Sequence, residues 1–168
     1  MNTRRVLISI LLLVGVAVAG SAKSSQVQAN AAFTRLKSLV GNWEADTSKG
    51  KVTSRYELIA CGSVLLEHLT VPGDDEMLTA YHLDGDQLVL THYCMAGNQP
   101  RMVAQGFDAS SGELDFAFAG ASNLKPGAGH MHDASFRLIS QDRYDAKWDF
   151  FEGGKAKFSE DFHYTRVK

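Results

Sequence analysis

YHLDGDQLVLTHYCMAGNQPRM, residues 81–102, reads as two strands joined by a tight turn. Asp84-Gly85 supplies the positive-φ chemistry that a two-residue hairpin demands. In the second strand Leu88, Leu90, His92 and Cys94 fall on one face, opposite Val89, Thr91 and Tyr93. Successive side chains of a strand point to opposite sides, so the leucine face, carrying His92 and Cys94, is expected inside. A Gly97-Asn98 turn stiffened by Pro100 then leads to Arg101 and a third strand. The segment therefore predicts an antiparallel meander and places a crowd of reactive groups at one of its turns.

The same grammar continues in both directions. Candidate strands run over 43–47, 51–59, 63–71, 77–83, 87–95, 101–109, 113–119, 130–139, 143–151 and 155–166. Most are separated by short connections of Gly, Asp, Ser or Pro, which makes sequence neighbours antiparallel neighbours in space. Residues 120–129, rich in Gly and Ala with Pro126, read as a longer mobile loop. Tyr144, Ala146, Trp148 and Phe150 alternate with Arg143, Asp145, Lys147 and Asp149, the clearest period of two in the chain. In the last strand Phe158, Phe162 and Tyr164 share a face with Glu160, and His163 lies on the polar side. About ten strands in a meander leave two open edges, and closure removes both. The expected fold is all-β, an up-and-down antiparallel barrel preceded by a short helix. An open two-sheet sandwich is the competing architecture.

The two ends and the charge narrow the class. Arg4 and Arg5 precede an apolar run at 6–19, then small residues up to Ala22, the layout of a secretory signal rather than a full membrane span. Residues 1–22 are thus expected to be removed, 23–30 to form a flexible leader and 31–168 to form one barrel domain, exported to the periplasm or secreted. Within 31–40, Phe33, Leu36, Leu39 and Val40 fall at helical spacing, and Gly41 is placed to end the helix. Subtracting Arg4 and Arg5 from 17 basic residues leaves 15 against 19 acidic ones. That excess of four negative charges, with the bases scattered, argues against nucleic acid as a partner. An oxidising compartment permits a bridge between Cys61 and Cys94 without requiring one.

Phe33-x-x-Leu36-x-x-Leu39-x-Gly41-x-Trp43 resembles the opening of lipocalin-like (calycin) barrels, which implies a short helix before a strand whose Trp43 plugs the barrel floor. Residues 81–102, with His92-Tyr93-Cys94 and Asn98-Gln99-Pro100-Arg101, are similar to small exported bacterial calycin-like proteins of unassigned function. That resemblance implies a fold and a pocket but no reaction. The haem-binding nitrobindins share the helix and Gly-x-Trp opening and hold haem through a histidine near the C-terminus. The candidate here, His163, departs from that pattern by falling on the polar face.

The groups able to do chemistry follow from the faces. His92 is read as a donor or acceptor aimed at a ligand's polar end, against the plainer alternative of a core histidine satisfied by one hydrogen bond. Arg101 is read as a fixed fork for an anionic head. Tyr56, Trp148, Phe136 and Cys94 join these as expected lining residues, with Leu90, Phe116 and Phe162 completing an apolar wall. His130 and His132 share a strand face and form a candidate metal pair, short of the three or four protein ligands that zinc takes. Glu67 and Glu160 sit on apolar faces and must be paired, protonated or functional, with Arg55, Arg101 or Arg166 as candidate partners. No nucleophile elbow, phosphate loop or metalloprotease helix occurs, so no motif points to an enzyme. The leading expectation is a binding protein for a small hydrophobic or amphipathic molecule with a polar or anionic head. The alternatives are a metal- or haem-dependent enzyme or sensor using His92, His130 and His132, and a barrel filled by its own side chains.

Overall fold

Alternation and turn chemistry produce ten strands in the computed structural model, which describes residues 15–168, with side chains from Ser25 onward. A helix, α1 (Gly15–Lys37), precedes β1 (Gly41–Thr47), β2 (Gly50–Ile59), β3 (Val64–Thr70), β4 (Met77–Asp84) and β5 (Gln87–Tyr93). The chain continues through β6 (Gln99–Asp108), β7 (Glu113–Ser122), β8 (His130–Arg137), β9 (Arg143–Glu152) and β10 (Lys155–Arg166). Each strand pairs antiparallel with the next, and β1 pairs with β10 to close the barrel. Closure through β1 and β10 decides for the barrel over the open sandwich. The architecture is consistent with a calycin-like barrel. Residues 1–14, most of the expected signal segment, lie outside the described residues.

The helix departs from expectation at both ends. Lys23 to Asn30, read as a flexible leader, lies within α1. Ala29, Ala32, Phe33 and Leu36 are buried at spacings of three and four, so the docking face starts a turn before Phe33. The helix ends at Lys37, and Gly41 belongs to β1 instead of capping it. Gly41 holds a φ of +126°, and a Cβ there would meet Arg166 Nη1 at 2.8 Å.

Helix and C-terminus together shut one end of the cylinder. α1 packs on β4, β5 and β6, and Arg35 Nη2 donates to the Leu138 carbonyl at 2.7 Å. Trp43 is fully buried and its indole Nε1 donates to the Leu39 carbonyl at 2.6 Å. Arg166 lays its guanidinium 4.1 Å above the Trp43 ring and donates to the carbonyls of Val40, Ser38 and Gln141. One side chain thus satisfies carbonyls just past the helix while covering the floor plug.

Above the floor the waist is packed solid. Tyr81, Phe116 and Phe136 meet at centroid distances of 6.0–6.2 Å, and Tyr144 stands edge-on to both Trp43 and Tyr56. Rings at this spacing interdigitate instead of lining a central hollow. Of the apolar wall expected from the sequence, Tyr56, Leu90, Phe116, Phe136 and Phe162 all belong to the core, and Phe162 also lines the cleft at the opposite, open end.

Candidate functional site

The open end collects polar groups for reasons of register. The turn after Asp84 pairs Asp84 with Gln87, which sets Thr79 directly opposite His92. Both point inward: Met77, Thr79 and Tyr81 of β4 alternate with half-exposed neighbours, and buried His92 of β5 lies between half-exposed Thr91 and exposed Tyr93. Thr79 Oγ1 stands 3.0 Å from His92 Nδ1. The imidazole packs on Trp148 of β9 with 5.0 Å between centroids. Its other nitrogen, Nε2, is buried and has no hydrogen-bond partner among the described residues. Burial holds the ring's pKa down from the ordinary 6.5 to about 4, so the ring is neutral near pH 7.

Thr79 also faces Glu67, its cross-strand partner on β3. Ser54 Oγ donates to Glu67 Oε1 and Tyr81 Oη to Oε2, each at 2.7 Å. Burial pushes this carboxyl's pKa up, and the hydroxyls of Ser54, Tyr81, Tyr56 and Thr79 pull it down. Tyr56 in turn shares a 3.1 Å hydrogen bond with Tyr144. Burial first, then the Glu67 charge, lifts Tyr56, Tyr81 and Tyr144 well above the usual phenol range. The arginine partner expected for Glu67 is replaced by hydroxyls. Arg55 bridges to Glu57, Arg101 to Asp84 and Arg166 to Asp142.

The barrel wall itself opens beside this network. β1 meets β10 in register at Trp43–Arg166 and Glu44–Thr165. Beyond them a cleft of about 530 Å³ separates the β1–β2 hairpin from β10. Val52, Val71, Phe158 and Phe162 give it apolar walls, with Glu160 and Lys49 at its edge. The Lys49 ammonium lies 3.6 Å from Glu160 and 3.9 Å from Asp74. Glu160 is the cross-strand partner of Trp148, whose ring packs against His92. Phe158, expected inside, is half exposed at the rim and stacks on Phe150 at 4.8 Å. Phe150 in turn lies so close to Gly129 that a Cβ there would fall 2.3 Å from its ring.

The residues singled out from the sequence separate into those near this end and those elsewhere. His92, Trp148 and Cys94 gather here. Cys94 is buried, which raises its thiol pKa, and the Glu160 carboxylate adds to the rise. Phe136 supports Trp148 from the waist at 6.0 Å, and Tyr56 belongs to the Glu67 network. Arg101 is a correction. Pro100 and Met102 take the inward positions of β6, so Arg101 faces out and binds Asp84 at 2.6 Å. Asn98 donates from Nδ2 to the Gly129 carbonyl at 2.8 Å, while its buried Oδ1 has no hydrogen-bond partner among the described residues. Cys61 is exposed in the turn after β2, at the floor end, and both cysteines are free thiols.

His130 and His132 do meet, with Nε2 of the first 3.1 Å from Nδ1 of the second. The register shift between Met131 and Asp133 turns His132 into a slot between Phe118 and Phe151, stacked at 4.8 and 4.1 Å. No third His, Cys, Asp or Glu completes a metal-binding set among the described residues. A haem held through His163 does not fit either, since that ring is largely exposed and bound to Asp145 at 2.8 Å.

Thr79 and Lys49 were absent from the sequence-based site. The Asp84-Gly85 turn read from the sequence would set Thr79 opposite Leu90; the structure turns at Gly85-Asp86 instead, pairing Asp84 with Gln87 and Thr79 with His92. Lys49 approaches Glu160 only through closure of the barrel, which no local pattern encodes. Neither a protein-family model nor a curated protein matches this chain, so the assignment to a closed ten-stranded antiparallel barrel stands on its own residues.

Proposed function

We propose that this is an exported binding protein that takes a small, mostly apolar molecule at the open end of the barrel, with the molecule's polar head against His92. The observation that carries the reading is the His92 Nε2 atom, buried and without a hydrogen-bond partner among the described residues. A buried polar nitrogen left unpaired costs about 1–3 kcal/mol, a cost that a bound partner recovers. A cleft at the same end of the barrel, with apolar walls and a few placed polar groups, has the composition of a small-molecule site. An anionic head is disfavoured, because Glu67 and Glu160 face this end and Arg101 lies outside the barrel.

Export is supported by the basic, apolar and small-residue order of 1–22. No helix among the described residues is long and apolar enough to cross a membrane. Native mass spectrometry of the protein purified from its exporting host tests the reading. A non-covalent added mass is expected on wild type and absent from His92→Leu. Equal occupancy in both proteins, or bare protein in both even after incubation with a lipid extract, contradicts it.

A further inference from the structure

Thr79 faces two groups that can take its single hydrogen. On one side is His92 Nδ1 at 3.0 Å, and on the other is the Glu67 carboxyl, opposite Thr79 in the sheet. A hydroxyl donates one hydrogen and accepts through its lone pairs. A carboxyl that already gathers the Ser54 and Tyr81 hydroxyls at 2.7 Å is the stronger acceptor, because charge-assisted bonds outcompete neutral ones. With its hydrogen turned to Glu67, Thr79 offers His92 a lone pair, which Nδ1 can meet only as N–H. A neutral imidazole carries one N–H, so Nε2 is left as a bare acceptor.

We propose, building on the binding reading above, that the molecule held at the open end presents a hydrogen-bond donor, a hydroxyl or N–H, to His92 Nε2, and that Thr79 is the positioning residue that makes Nε2 an acceptor. An ester or ketone head would set lone pair against lone pair. A carboxylate head would do the same and also meet the carboxyls of Glu67 and Glu160. The cation at the cleft, Lys49, is engaged with Glu160 and Asp74. A long-chain alcohol or amide fits where the matching ester or fatty acid does not. Sites that bond a substrate hydroxyl reject analogues lacking it, because their own polar atom is left unpaired.

Two readouts on the intact protein test this. Long-range proton–nitrogen correlation spectra of histidine-labelled protein report which ring nitrogen carries the proton, with His92 assigned by its loss in His92→Leu among the six histidines. The expected result is a protonated Nδ1 and a bare Nε2. Titration with dodecan-1-ol, methyl dodecanoate and dodecanoate is expected to show the alcohol binding about tenfold or more tightly than the other two, the effect of one unmade hydrogen bond. In Thr79→Val, with its fold checked by circular dichroism, that preference is expected to shrink several-fold. A protonated Nε2, an ester or carboxylate bound as tightly as the alcohol, or an unchanged preference in Thr79→Val overturns the donor-head proposal while leaving binding intact. Failure of all three probes to bind overturns the binding reading itself.

Discussion

Thr79 Oγ1 lies 3.0 Å from His92 Nδ1, yet the far nitrogen of the same ring has no partner among the described residues. A ring anchored on one side and open on the other is arranged for orientation more than for stability.

Replacing His92 by Leu is therefore expected to leave thermal stability unchanged or to raise it. The substitution removes a buried unpaired atom and supplies apolar contact with Trp148, while Thr79 keeps Glu67. Ligand binding should be lost at the same time. Thermal melts followed by circular dichroism check the first half, and a melting point lowered by many degrees would contradict it.

Stability should fall as the medium is acidified from pH 6.5 toward 4. The folded His92 resists protonation down to about 4, whereas the unfolded ring takes its proton near 6.5. Between those values the unfolded chain binds the extra proton, so acid favours unfolding, by an amount on the order of 3 kcal/mol across the window. Glu67 works the other way, because its raised pKa stabilises the fold when protonated and that contribution fades as pH rises past the ordinary carboxyl value. Urea unfolding at stepped pH should show the acid loss in Glu67→Gln and not in His92→Leu.

Arg101→Ala should change little. Its partner Asp84 is exposed and the pair lies on the outer surface, where such bridges are worth about 0–1 kcal/mol. Affinity for any ligand of the open end is expected to stay within twofold, as isothermal titration would show.

Arg166→Ala should be costly by contrast. The guanidinium covers Trp43 and donates to three backbone carbonyls, so the floor loses a cation–π contact and charge-assisted bonds together. A loss of about 2–4 kcal/mol is expected in chemical denaturation, with Lys unable to restore the fork.

The ten strands were legible because period-two alternation and turn residues are local signals, strongest where Tyr144, Ala146 and Trp148 oppose charged neighbours. What stayed illegible depended on distant or weak signals. The β1–β10 seam joins Trp43 to Arg166 across nearly the whole domain, so the cleft beside it could not be read. Alanines 29 and 32 are too weakly apolar to announce the first docking turn of α1. Arg101 was misassigned because its proximity to the turn outweighed the alternation of Pro100 and Met102. The register shift at Met131–Asp133 hid the stacked setting of His132.

Trp148 offers the most direct test of the account, since its indole touches His92 while the other tryptophan, Trp43, is locked in the floor. Intrinsic fluorescence of the wild-type protein titrated with dodecan-1-ol is expected to change and saturate, and to stay flat in His92→Leu. A flat wild-type titration, or an identical curve in the variant, would contradict a ligand seated on this imidazole.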